Sequence, residues 1–175
     1  MGYLTESMLE RYAQETSKKE YARVNLVSKA LSGDKTIFLS HSHEDRIFVE
    51  GLINYLATFG IKIYVDWNDS GMPRITNRTT ANRIKEKIKE NNYFLILATA
   101  NALASRWVPW EIGVADQMKT IERIAIVPVV KNTDNEFKGN EYLALYRCIR
   151  LEGYTIKMFE AGSTTSSEVV SWLRN

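Results

Sequence analysis

The stretch KTIFLSHSHEDRIFVEGLINYLATFG, residues 35–60, changes character twice along its length. KTIFLS (35–40) is a short run rich in β-branched and aromatic residues, and a polar turn follows it. DRIFVEGLINYLATFG (45–60) then puts Phe48, Leu52, Tyr55, Leu56 and Phe59 on one helical face, with Gly60 as a stop. This is a strand–turn–helix unit, and strands and helices go on alternating after it. IKIYVDW (61–67) reads as a second strand, and NDSGMPRITNRT (68–79) is a loop of turn formers. TANRIKEKIKENN (80–92) reads as a helix with Ala81, Ile84 and Ile88 inward; Lys85, Lys87 and Lys89 form a solvated face. YFLILAT (93–99) is a continuous apolar run suited to a central parallel strand. A helix follows from Ser105 to about Met118. RIAIVPVV (123–130), with Pro128 near its end, and YRCIRLE (146–152) supply two more strands; SSEVVSWLRN (166–175) is a closing helix capped by Ser166 or Ser167.

Strand and helix in alternation predict an α/β domain with a parallel sheet and right-handed crossovers. Five strands suggest the flavodoxin-like order 2-1-3-4-5, with helices on both sides. In that order a crevice opens at the carboxyl ends of strands 1 and 3. Strand 1 delivers SHSHED (40–45) there, and strand 3 delivers ATANALASRW (98–107). Upstream, residues 3–31 read as helical: Leu4, Met8 and Tyr12 share one spacing, Leu9 and Ala13 another, and Val24, Val27 and Leu31 continue it. Thr5 can cap the start, and Gly33-Asp34 ends the segment. The expected organisation is a helical extension over 1–33 and one domain over 34–175. No internal repeat is visible.

The totals narrow the classes. The chain has 175 residues, 45% of them hydrophobic, enough for one domain with a real core. Lys plus Arg is 23 and Asp plus Glu is 21, a balance that calls for neither a nucleic-acid nor a membrane-surface partner. The single cysteine, Cys148, excludes a disulfide framework within the chain and fits a reducing cytoplasm. The first residues carry no signal-peptide pattern, and no apolar run is long enough to span a bilayer. His41 and His43 sit together in SHSHEDR, but two histidines two apart with no further His or Cys nearby are poor metal spacing. No metal site is expected. GxGxxG, P-loop and GxSxG patterns are absent.

SRWVPWEIG (105–113) carries the sharpest question. Glu111 follows Trp110 and lies four residues after Trp107. One reading is an ordinary helix-start acid: Ser105 caps, Pro109 falls in the first turn, and the macrodipole favours the carboxylate. The other is a carboxylate walled by indoles, whose neutral form is favoured by desolvation while the helix terminus favours the anion. Such a group also offers two acceptors for a diol. In DWNDSGMPR (66–74), Trp67, Met72 and Arg74 either line the crevice or form a plain exposed turn.

Taken together, IFLSHSHEDRIFVEGLINYLATFGIKIYVDW and SRWVPWEIGVAD resemble a Toll/interleukin-1 receptor (TIR) domain. The first strand runs into FLSHSHEDR, of the family's Ser-x-Ser-His-x-Asp type, with His41 where an aromatic is frequent. IYVDW resembles the second-strand end before the BB loop, here residues 66–79. Ser105, Trp107 and Glu111 match Ser-x-Trp-Cys-x-x-Glu, with Val108 in the cysteine's place. IVPV (126–129) resembles the fourth-strand signature. The likeness covers roughly 35–175. It implies that Glu111 is the catalytic carboxylate for cleaving nicotinamide from NAD+, which is a substrate and not a resident cofactor. It also implies that Ser40, His41, Trp67, Ser105, Trp107 and Trp110 bind that substrate, and that self-association runs through the BB loop. With no effector, receptor or death-fold domain expected on the chain, it is similar to stand-alone bacterial and archaeal TIR proteins of the Thoeris antiphage type. These make a cyclic or conjugated ADP-ribose signal for a separate effector.

Two further classes compete with this expectation. A non-catalytic adaptor would bind other TIR domains through the BB loop and need Glu111 only as a helix-start acid. A nucleoside deoxyribosyltransferase shares a related fold and a sugar-binding glutamate, but finds no support in the BB-loop stretch.

Overall fold

The structure, a computed structural model, describes residues 2–15, 35–59, 61, 63, 78–132, 136–153 and 155–174. Its centre is a run of four strands, the inner two of which have no polar face. β2 (Ile37–Ser40), β3 (Tyr93–Ala98), β4 (Ile124–Val130) and β5 (Arg147–Glu152) pair in that order, all parallel. Every residue of β3 and β4 is buried. Such strands need cover on both sides, because their side chains alternate between faces.

The alternation sorts the core into two layers. Tyr93, Leu95 and Leu97 face one way, into a cluster with Leu9 of α1 (Glu6–Glu15), Val49, Leu52 and Leu56 of α2 (Arg46–Ala57), and Trp172 of α6 (Val169–Arg174). Phe94, Ile96 and Ala98 face the other way. They meet Ile84 and Ile88 of α3 (Arg78–Glu90), Ala102 of α4 (Ala100–Ala104), and Val108, Ile112 and Ala115 of α5 (Val108–Met118). Phe38 of β2 belongs to this second side, stacked on Phe94 with ring centroids 5.5 Å apart. Ser40, two residues on, shares its face, which is how β2 presents a hydroxyl to α5.

The expected strands 1, 3, 4 and 5 are thus β2 to β5, adjacent and parallel as the crevice argument requires. The expected second strand, 61–67, lies outside the described residues except for Ile61 and Ile63, both buried in the first layer. Three features depart from the sequence reading. β6 (Thr155–Phe159) returns antiparallel along β5 after Gly153, whose φ of 61° suits a residue without Cβ. β7 (Ser166–Glu168) pairs antiparallel with β6, so the closing helix begins at Val169 and Ser166 and Ser167 are strand residues. Leu4 and Thr5, read as helical, form β1, a parallel partner of Val129 and Val130 at the carboxyl end of β4. Pairing there satisfies the backbone while Leu4 is fully buried. The helix starts one residue later, and Thr5 does cap it: its hydroxyl accepts from the Met8 amide at 3.2 Å. The domain boundary expected at 33/34 lies outside the described residues.

The approach of α1 to α2 is close enough to fix one residue. A Cβ on Gly51 would lie 2.0 Å from the Leu9 carbonyl oxygen, a backbone atom that cannot swing away. Asn54 of the same helix donates to the Tyr12 carbonyl at 2.9 Å. Gly51→Ala should therefore push α1 off α2 and cost at least about 1–3 kcal/mol, read as a lower midpoint in thermal melting. An unchanged midpoint would mean that the two helices do not pack this tightly.

Candidate active site

Two connections converge at the carboxyl ends of β2 and β3. β2 ends at Ser40, whose partner across the ladder is Ile96. The chain then turns through His41 and Ser42 into a short 3-10 turn, His43–Asp45, where the Ser42 hydroxyl accepts from the Glu44 amide at 3.4 Å. β3 ends at Ala98. Thr99 caps α4 by accepting from the Ala102 amide at 3.0 Å. Ser105 then accepts from the amides of Trp107 (3.1 Å) and Val108 (3.5 Å), closing the turn that enters α5; the N-cap residue is Trp107, two residues later than the cap expected at Ser105. Pro109 falls in the first turn, where its missing N–H costs nothing.

Glu111 is also in that first turn, its amide bonded to the Trp107 carbonyl at 2.8 Å. Its side chain does not point to water. It is 8% exposed, and the Ser40 hydroxyl donates to its Oε2 at 2.5 Å. Burial pushes the carboxyl up to about 7, and the Ser40 hydrogen bond acts in the opposite direction. Both expectations for Glu111 hold some truth: it starts a helix, and it is buried. The macrodipole favours the anion by about 0.3–1 kcal/mol, less than the desolvation that opposes it.

The other expected residues are placed as follows. His41 is partly buried, with Nδ1 3.0 Å from the Leu39 carbonyl; burial lowers its pKa. That contact assigns the proton to Nδ1 in the neutral ring. Trp107 and Trp110 are half-buried and meet edge to face at 5.2 Å, packed on the second core layer. Lys85 of the lysine face stands over the Trp110 ring at 5.8 Å. Val108, in the position of the family's cysteine, is buried. Trp67, Met72 and Arg74 lie outside the described residues. Among the described residues no cluster of His, Cys, Asp or Glu could hold a metal ion.

One residue was read only as a helix start and as the last position of the Ser-x-Ser-His-x-Asp stretch. Asp45 is fully buried, and both carboxylate oxygens are held: Oδ2 accepts from the Thr99 hydroxyl at 2.5 Å and Oδ1 from the Asn101 amide at 2.7 Å. A polar triplet spaced over 54–56 residues leaves no local signal in sequence. Its burial comes entirely from the sheet bringing two loop starts together.

These features coincide with a family match. The model of the TIR domain matches residues 37–161. The chain belongs to the TIR domain family. The chain is 33% identical over 160 residues, 83% of its length, to the probable 3' cyclic ADP-D-ribose synthase ThsB' of Bacillus cereus (strain MSX-D12), covering 82% of that protein. It is 27% identical over 85 residues, 47% of its length, to the putative cyclic ADP-D-ribose synthase TIR2 of Cytobacillus dafuensis, covering 22% of that protein. Among the described residues, no helix is long and apolar enough to cross a membrane.

The raised Glu111 pKa has a stability consequence with a definite sign. The folded state holds this proton up to about pH 7, whereas the unfolded chain releases it near 4.5. Stability at Glu111 is therefore greatest below pH 4.5 and declines as pH rises to about 7, by at most about 3 kcal/mol. Glu111→Gln removes that decline, so the variant should melt higher than wild type at pH 8 and alike at pH 4. A lower melting point at pH 8 would mean that the anion stabilises the helix start more than burial opposes it.

Proposed function

We propose that this TIR domain cleaves the nicotinamide–ribose bond of NAD+ and closes the remaining ADP-ribose into a cyclic signal. The observation that carries this is the buried Glu111 carboxyl bonded to Ser40 at the carboxyl ends of the central strands. Nicotinamide leaves as a neutral base with the electron pair of the broken bond, so no acid is needed. What the transition state needs is a negative group beside a ribose that is becoming oxocarbenium-like. The Glu111 carboxylate, in surroundings of low polarity, stabilises that charge more than an exposed one would and accepts hydrogen bonds from the ribose hydroxyls. Ser40 holds one of its oxygens, leaving the other for substrate. The names of the two relatives support a cyclic product. Ring closure then uses a hydroxyl of the same ADP-ribose, forms a bond to the anomeric carbon and releases one proton. Excluding water favours this over hydrolysis.

In this reading Ser40, His41, Trp67, Ser105, Trp107 and Trp110 shape the substrate site. The protein is a signal maker in antiphage defence, its product is read by a separate effector, and the BB loop (66–79) joins copies into the active form.

Incubating the protein with NAD+ and separating products by mass tests the chemistry. Wild type should release nicotinamide together with a product one water lighter than ADP-ribose; Glu111→Gln should lose at least roughly a hundred-fold in turnover while still folding. Equal turnover in both proteins would remove Glu111 from the chemistry, and no turnover in either, at any protein concentration, would favour an adaptor. Because the anion is the working form, turnover should rise with pH through about 7. Ser40→Ala, which removes the bond that favours the anion, should move that midpoint upward.

A further inference from the structure

We propose that Asp45 is a positioning residue for this site: its carboxylate pins the loop 40–45 to the turn 99–101, so that Ser40 is held against Glu111. The inference rests on the proposed role of Glu111 and adds a residue that the role does not itself use.

Two bridges join the same two stretches of chain. At the near end of the loop, Ser40 donates to Glu111 at 2.5 Å. At its far end, Asp45 accepts from Thr99 at 2.5 Å and from Asn101 at 2.7 Å. The Thr99 hydroxyl is used twice, donating to Asp45 and accepting from the Ala102 amide, so the bridge is continuous with the cap of α4. From α4 the chain reaches Ser105, whose hydroxyl accepts from the amides of Trp107 and Val108 at the entry to α5, the helix that carries Glu111. A carboxylate with no exposure and both oxygens bonded leaves the loop little freedom: sliding it would strand the buried Thr99 hydroxyl, the partly buried Asn101 amide and the buried Asp45 carboxylate. Salt cannot screen such a contact as it would a surface pair.

Asp45 touches neither Ser40 nor Glu111 by any of these bonds. It acts through the loop, and a small displacement of Ser40 is enough to misplace the hydrogen bond that orients the Glu111 carboxylate. Of the titratable groups nearby, His41 feels the charges of Asp45 and His43, while Glu111 is set by its burial and by Ser40. A disturbed clamp therefore reaches Glu111 through geometry, by weakening the Ser40 bond.

The test uses two variants that leave Asp45 in place, Asn101→Ala and Thr99→Val, with Thr99→Ser as the conservative control. Two quantities are followed: turnover of NAD+, and the ionisation midpoint of Glu111 from its carboxyl carbon resonance. The expected result is a kcat reduced roughly ten- to a hundred-fold in Asn101→Ala and Thr99→Val, with KM changed much less. The Glu111 midpoint should rise in both. Thr99→Ser, which retains the hydroxyl, should restore both quantities toward wild type. A fall in melting temperature with kcat and midpoint unchanged would overturn the proposal, because the clamp would then be structural only. The midpoint does not depend on NAD+ chemistry. If wild type cleaves no NAD+ but the midpoint still moves in the variants and returns in Thr99→Ser, the clamp stands and the catalytic reading falls. If turnover falls with no change in midpoint, the clamp does not act through Ser40 and Glu111, and the proposal fails.

Discussion

A strand covered on both faces leaves a polar side chain nowhere to go except past its end. That constraint organises this domain. β3 and β4 are apolar throughout, and β2 is apolar until its last residue, Ser40. Because Phe38 and Ser40 share a face, the hydroxyl emerges where the second helical layer begins, opposite the first turn of α5. The position of the reactive group thus follows from strand parity. A slip of one residue in β2 would send Ser40 into the layer of Leu95 and Leu97, away from Glu111.

The second consequence concerns the energy of that meeting. A glutamate in a helix's first turn is ordinarily solvated and gains from the dipole. Here the residue is buried at the level of the sheet's carboxyl edge, and burial outweighs the dipole. An adaptor surface has no use for a carboxyl held near neutrality at pH 7. Such a group weakens the fold wherever it ionises, and it persists sensibly where the anion meets a cationic partner such as a developing oxocarbenium.

How far the sequence could be read depended on the range of the interactions. Elements set by local periodicity were legible: β2 through β5, α2, α3 and α5, and the closeness of Ser40 to Glu111 that follows from parallel order. Elements set by partners were not. Leu4 continues a helical spacing, yet the open carboxyl edge of β4 takes it as strand. TIKMF carries too few residues to announce β6, although Gly153 before it marks the turn. SSEVVSWLRN reads as one helix until β6 offers Ser166–Glu168 a ladder. Asp45 was visible as part of a motif, but its two partners lie 54 and 56 residues away.

What Glu111 needs and what the fold needs are held by different bonds. Tyr93 donates to the Trp172 carbonyl at 3.0 Å, and Trp172 donates to the Glu122 carbonyl at 2.6 Å; these bonds fasten α6 across the first layer. Nothing in them touches the carboxyl edge. The bonds at that edge run instead between the two loops: Ser40 to Glu111, and Thr99 and Asn101 to Asp45. Each spends a buried polar group on fixing one loop against another, where apolar packing would have served stability at lower desolvation cost. Polar contacts of that kind trade fold energy for position, and position is what a carboxylate beside a ribose requires.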